Sequence, residues 1–380
     1  MIIQGKLPVT ENPVNVTIEG GIISRIEPFR KGTLHHFGGP DLYICPGFFD
    51  PQVNGFAGVD FNGKGLTPEG IQRAAQCLAL SGVTRFLPTL ITAPHEKIER
   101  QLKIFTSALE CNSLLRRMIP GIHLEGPYIS PEDGPRGAHP REAVRPPDWN
   151  EFERFQEVCN GKIKCLTLAP EMEGAIPFIE KAVANGIVVG LGHTNASETV
   201  FEDALSAGAR LSIHLGNGTP AFMPRHQNPI QKQLSMDGLM ASIIVDGIHL
   251  PDYVVKNFVR AKGIERILLT TDSMAGAGAP PGKYTLGDLE VEVGFDRAVR
   301  LAGTPYLAGS TLSMERAINN IIRFAGVDLM DGLEMARKNG EKVFPEIGGE
   351  IISGSPADIV LFEYKDEMRV KATWVNGEKI

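Results

Sequence analysis

Cysteine is sparse and poorly spaced for structural use. The 380 residues include five, Cys45, Cys77, Cys111, Cys159 and Cys165, an odd count. No Cys-x-x-Cys pair occurs, so neither a disulfide framework nor a thiolate zinc site is expected, and reduced buried thiols are the simple reading. A basic cluster is also missing, and the formal net charge is -7. That argues against a nucleic-acid surface, while leaving room for a local basic pocket that takes an anionic ligand. No apolar run is long enough to cross a membrane. The opening residues MIIQGKLPVT have no charged leader and no long apolar core, so no signal peptide is expected and the expected compartment is the cytoplasm. No Gly-x-Gly-x-x-Gly follows the first strand of the middle region, which weighs against a doubly wound dinucleotide-binding sheet.

What is present is a regular alternation. Both chain ends are β-like: VNVTIEGGIISRIEPF (14–29) has a Gly-Gly turn between two strand patterns, and ADIVLFE (357–363) precedes VKATWVNGEKI (370–380) with its Asn-Gly turn signal. Residues 1–45 and 346–380 are therefore expected to form one small β-sandwich domain that the chain leaves and re-enters. Between them, residues 46–345 carry eight apolar, β-branched runs, at 44–54, 83–91, 118–126, 162–170, 186–194, 210–217, 239–249 and 266–273. Amphipathic helices are expected at 67–82, with Thr67 as cap and Pro68 in the first turn, and at 196–208 and 251–263. Eight strands separated by helices predict an α/β fold, a (β/α)8 TIM-like barrel, as the catalytic domain.

In such a barrel the active site lies at the C-terminal ends of the strands. The first run, PGFFDPQVNG (46–55), alternates Asp50, Gln52 and Asn54 with Pro51 and Val53, which puts the three polar groups on one face. The later strands end in Glu125, His193, His214, His249 and Asp272. Each has an ordinary alternative. A strand-end histidine is often only hydrogen-bonded, Glu125 beside Gly126 and Pro127 fits a turn cap, and Asp272 fits a helix N-cap. One barrel mouth would nevertheless gather them all. Two imidazoles and a carboxylate are a frequent catalytic zinc set, and a nearby aspartate can take a proton from water.

These residues, in this order, resemble the amidohydrolase superfamily and, within it, the N-acetylglucosamine-6-phosphate deacetylase family. PGFFDPQVNG, HLEGPYI, LGHTNA, IHLGNG, DGIHL, TTDS and AGSTLSM each have a counterpart there, and GSPADIVLF is similar to the return strand of the small domain. Superfamily members often carry His-x-His at the end of strand one, where a first metal sits. This sequence has Gln52 and Asn54 in those positions, as some deacetylases do, and carboxamides are poor zinc ligands beside imidazole. The resemblance thus implies one divalent metal ion per chain, zinc by first expectation, held by Glu125, His193 and His214, with Asp272 as the catalytic base.

It implies further roles. His139, in RGAHP, would contact the sugar and help polarise the amide. His249 would bind substrate, Asn217 and the backbone of Gly218 would contact a phosphate, and Arg225 would reach the phosphate in a neighbouring subunit of a homodimer. For Arg225 and His226 the alternatives are a surface salt bridge and a loop hydrogen bond. HLGNGT, PRHQNP and SMAGAGAPPGKY depart from the family pattern, and all three lie where the family binds sugar or phosphate. The expected reaction is hydrolysis of the N-acetyl group of an amino sugar, N-acetylglucosamine 6-phosphate first. The alternatives are an unphosphorylated acetamido sugar, an N-acyl amino acid or a cyclic amide, and, from another class, a non-catalytic ligand-binding barrel.

Overall fold

The computed structural model of the chain describes all residues except Lys31, Thr33 and Pro305. Eight parallel strands in sequential order form the barrel: β1 (Phe48–Val53), β2 (Val83–Ile91), β3 (Ile122–Glu125), β4 (Ile163–Leu168), β5 (Val188–Leu191), β6 (Leu211–Ser212), β7 (Met240–Ile244) and β8 (Ile267–Thr270). The ring closes just past the last strand, where Val53 bridges Ser273 and the Asn54 N–H donates to the Ser273 carbonyl at 2.7 Å.

The helices cover the outside by ordinary amphipathic logic. Pro68–Ala79 starts at Thr67, whose hydroxyl accepts from the Gly70 N–H, and it buries Ile71, Ala74, Ala75 and Leu78, a spacing of three and four residues that makes one apolar stripe. Between helix and strand, Phe61 meets Phe105 edge-on at 5.4 Å and stacks near Phe86 at 6.3 Å. Truncating a fully buried phenylalanine such as Phe105 costs about 3–5 kcal/mol.

The barrel interior is layered. Phe49, Leu87, Cys165, Leu211 and Leu268 make an apolar layer, floored by Phe344 and Ile347. Two residues further along their strands come Thr89 and Thr167, with His123 between them. Two more residues along β3 comes Glu125. The period of two thus carries the interior from hydrocarbon, through hydroxyls and imidazole, to charge at the mouth.

The run at 44–54 is not one strand. Residues 37–46 belong to the terminal sheet and pair with 359–362, and β1 begins after Gly47. A Cβ at position 47 would lie 2.1 Å from the Thr84 side chain, so only glycine fits the crossing. Arg337 fixes the same point, donating to the Gly47 carbonyl at 2.6 Å and the Ile347 carbonyl at 2.7 Å. Arg85 of β2 adds a 2.5 Å ion pair to Asp358 of the terminal segment.

The chain ends form one hydrogen-bonded sheet of seven strands, in the order 378–379, 368–375, 359–364, 37–46, 2–6, 13–19, 22–28. Both halves contribute to a single core that includes Ile3, Val16, Ile23, Ile44, Ile359 and Trp374. A further antiparallel sheet, Gly282–Leu286, Leu289–Val293 and Val299–Leu301, follows β8 and sits beside the barrel mouth. No helix among the described residues is long and apolar enough to cross a membrane.

Candidate active site

Glu125 closes β3, His193 lies two residues beyond β5, and His214 lies two beyond β6. All three are buried. His193, His214 and Asp272 have positive φ, 52°, 31° and 49°. A left-handed conformation costs a residue other than glycine about 1–2 kcal/mol, and three of them at one rim mark where the chain turns away from the barrel axis. The result is convergence: Glu125 Oε1 lies 3.1 Å from His193 Nε2 and 3.0 Å from His214 Nε2.

The donor chemistry fits a cation. His193 Nδ1 faces the Pro135 carbonyl at 2.8 Å, and a carbonyl only accepts. The neutral ring therefore carries its proton on Nδ1 and aims the Nε2 lone pair at a carboxylate oxygen. Two acceptors at that separation need a proton or a metal ion between them. One ligand atom from each of Glu125, His193 and His214 falls within 4.8 Å of the others, in a buried group suited to a divalent metal. With a proton rather than an ion in that place, burial pushes the Glu125 carboxyl up, but hydrogen bonds from His193 and His214 outweigh it and hold the group well below the usual carboxylate range.

Gln52 and Asn54 both turn inward. Gln52 Nε2 donates to Glu125 Oε1 at 2.8 Å and to Asp272 Oδ1 at 3.0 Å, and Asn54 Nδ2 donates to the same Asp272 oxygen at 2.7 Å. The register of β1 against β2 shifts between Asp50 and Val53, a bulge of the kind that re-aims side chains. Burial, and then the Glu125 carboxylate, push Asp272 up to about 8 against the pull of His214 and Asn54. A divalent cation beside Glu125 would oppose that push.

His139 arrives from the loop after β3. It is buried, packs against His193 with ring centroids 4.3 Å apart, and places Nδ1 2.8 Å from the Thr92 hydroxyl. Burial lowers it to about 3, so it stands neutral. His249 lies five residues past β7, in a loop held by Asp246, which accepts from the Ile248 and His249 N–H groups at 2.8 Å each and from His249 Nδ1 at 2.7 Å.

A cavity of about 260 Å³ joins these groups, lined by Asn54, Glu125, His139, His193, His214, Asn217, Gly218, His249 and Asp272, among others. Gly218 is pressed close: a Cβ there would lie 2.9 Å from His193 Nδ1. Arg225 is exposed and does not line the cavity, so one chain alone does not bring it to the others.

Four features of the site were not singled out from sequence. His123 sits below Glu125 between the Pro51 carbonyl (3.1 Å) and the Thr167 hydroxyl (2.7 Å), and burial lowers it to about 4. Its place two residues before Glu125 on one strand was the available signal. Asp246 stands three residues before His249, a spacing readable in VDGIH. Thr92 behind His139, and the apolar wall of Leu286, Leu289 and Leu307, carry no sequence signal of their own.

A parallel barrel with a histidine–carboxylate cluster at its mouth suits metal-assisted hydrolysis, and the sequence gives the class: residues 43–380 match the Amidohydrolase family, and the chain belongs to that family. N-acetylglucosamine-6-phosphate deacetylase of Bacillus subtilis is 33% identical over 370 residues, covering 93% of this chain and 90% of its own. N-acetylgalactosamine-6-phosphate deacetylase of Escherichia coli O157:H7 is 31% identical, covering 95% and 93%. Among solved structures, the Mycobacterium smegmatis N-acetyl-D-glucosamine-6-phosphate deacetylase in complex with N-acetyl-D-glucosamine-6-phosphate superposes with a TM-score of 0.89 at 27% identity, over 100% of this chain and 98% of that one.

Proposed function

We propose that this chain is a metal-dependent deacetylase that converts N-acetylglucosamine 6-phosphate to glucosamine 6-phosphate and acetate. The observation that carries the reading is the buried Glu125–His193–His214 group beside Asp272, in a chain whose relatives of that name align along nearly its whole length. The Escherichia coli relative supports a second reading, the galactosamine epimer. Acetate release measured on both epimers, each with and without the 6-phosphate, decides between them. Turnover of neither phosphorylated sugar would reject the proposal.

A divalent ion held by Glu125, His193 and His214, zinc in the first instance, would supply Lewis-acid polarisation of the amide carbonyl and of the attacking water. Asp272, aimed by Gln52 and Asn54, accepts a proton from that water as its oxygen bonds to the acetyl carbon. The carbonyl π electrons move onto the carbonyl oxygen, where His139 stabilises the developing charge. When the C–N bond breaks, its electron pair leaves with nitrogen, and Asp272 returns the proton to the departing amine. The electron pair on the oxygen returns to re-form the C=O bond, leaving acetic acid, which gives its remaining proton to solvent as acetate, and the free amino sugar, and the base is restored.

The remaining roles concern binding. His249, with Nδ1 held by Asp246, turns its other nitrogen to a sugar hydroxyl. Asn217 and the Gly218 backbone contact the phosphate end. Arg225, exposed on its own chain, serves the site of a second subunit in a homodimer. The catalytic unit runs over residues 46–345, with 1–45 and 346–380 as its supporting domain.

A further inference from the structure

We infer that Thr92 is a positioning residue: its hydroxyl donates to Nδ1 of His139 and so fixes the ring proton on Nε2, on the side that meets the amide oxygen. The inference rests on the deacetylase reading for what His139 does, but not for which nitrogen carries the proton.

The argument starts from what stands behind each ring. His193 Nδ1 faces a backbone carbonyl and His249 Nδ1 faces a carboxylate, so both rings are protonated there. His139 instead has a hydroxyl behind Nδ1, at 2.8 Å. A hydroxyl has one proton and two lone pairs, so it can serve as donor where a carbonyl or carboxylate cannot. The other acceptor in reach of the Thr92 proton is the Glu125 carbonyl, at 3.4 Å, the long limit of a hydrogen bond. In the arrangement inferred here the proton goes to the closer partner. Nδ1 is then the acceptor, and Nε2–H is left as the free donor of a ring that lines the cavity.

The packing supports the arrangement independently. Thr92 is buried, and a Cβ on Gly126 would lie 2.1 Å from its hydroxyl oxygen. The turn after β3 therefore has to be glycine for that hydroxyl to occupy its place. With the opposite tautomer His139 would present a lone pair to the amide oxygen and repel the charge that develops there.

The test uses Thr92→Val, which keeps the shape and deletes the hydroxyl, and Thr92→Ser, which keeps the hydroxyl and deletes the methyl. Long-range proton–nitrogen NMR of histidine-labelled, metal-loaded protein, with His139 assigned by its loss in His139→Gln, should show a ring protonated at Nε2 in the wild type and in Thr92→Ser. Thr92→Val should lose that single-tautomer signature. In kinetics Thr92→Val should lower kcat by about tenfold or more, below the full loss of an oxyanion donor, with KM and metal content unchanged and Thr92→Ser close to wild type. Protonation of His139 at Nδ1 in the wild type would overturn the inference, as would an unaltered tautomer in Thr92→Val or equal damage from both substitutions. The NMR result stands even if the wild type fails to deacetylate the sugar, so the two readings fail separately.

Discussion

The Gln52 carboxamide donates to the Glu125 carboxylate at 2.8 Å, at one of the two positions that the family resemblance assigns to metal-binding imidazoles. Its Nε2 also reaches Asp272, and its own Oε1 has no partner among the described residues. A neutral donor thus joins two carboxyl groups.

Metal stoichiometry follows from that substitution. The protein should hold about one divalent ion per chain, the capacity of a single three-ligand site. The double variant Gln52→His, Asn54→His should hold up to about two, because imidazoles replace poor ligands. Elemental analysis after exhaustive dialysis measures both, and two tightly held ions in the wild type would contradict the assignment.

His193→Ala and His214→Ala should each lose the ion and the activity together. Two remaining ligands make a weak site, and the vacated space lies next to Glu125, which keeps only one histidine and the Gln52 amide beside it. Full metal content in either variant rejects that residue as a ligand.

Asp272→Asn should retain metal and bind substrate while kcat falls by at least about 10²-fold, since one residue serves both proton transfers. The amide still accepts from Asn54 through its oxygen but takes no proton from water. A variant retaining more than a tenth of parental kcat would remove Asp272 from the role of base.

Arg225→Ala should raise KM for a 6-phosphorylated substrate by roughly tenfold, the worth of one charge-assisted contact, and leave an unphosphorylated sugar nearly unchanged. Sedimentation of the wild type should show a dimer. Equal effects on both sugars, or a strictly monomeric active enzyme, would show that Arg225 does not reach a neighbour's phosphate.

Asp50 offers a pH test away from the proposed ligands. Burial raises its carboxyl to about 6, although the Thr271 hydroxyl and N–H pull it down. Between the ordinary value near 4 and about 6 the unfolded chain has lost this proton while the native protein keeps it, so its contribution to stability is present at low pH and lost as pH rises through that window. Denaturant titrations of metal-free wild type and Asp50→Asn across the window should diverge by up to about 3 kcal/mol, the variant gaining relative stability as pH rises. Parallel curves would place Asp50 at an ordinary carboxylate value.

The barrel strands were legible because each is a short apolar run, six of the eight with a polar group at or just past the C-terminal end, and β2 keeps the bounds its sequence suggests, 83–91. The start of β1 was not legible: Cys45 and Phe48 look alike as apolar residues, and the break between them depends on the Thr84 side chain approaching Gly47 from the neighbouring strand β2. β6 is only two residues long, so His214 lies beyond the strand that a hydrophobic pattern extends. The sheet over the mouth was missed because its alternation, as in LEVEV, lies after a Gly- and Pro-rich stretch that reads as loop. Thr92 has no signature at all, since its meaning depends on a histidine forty-seven residues away in sequence.

The strand at 37–46 is flanked by residues 2–6 on one side and 359–364 on the other. On the ribosome its first neighbour is made at once, while its second is not made until nearly the whole chain has emerged. The barrel is complete in sequence before the sheet beside it can be, so one row of backbone donors and acceptors waits open through most of synthesis. An open row of that kind is a template for pairing with another chain. Truncation of the last strands would therefore show itself first as aggregation of newly made protein, ahead of any defect in turnover.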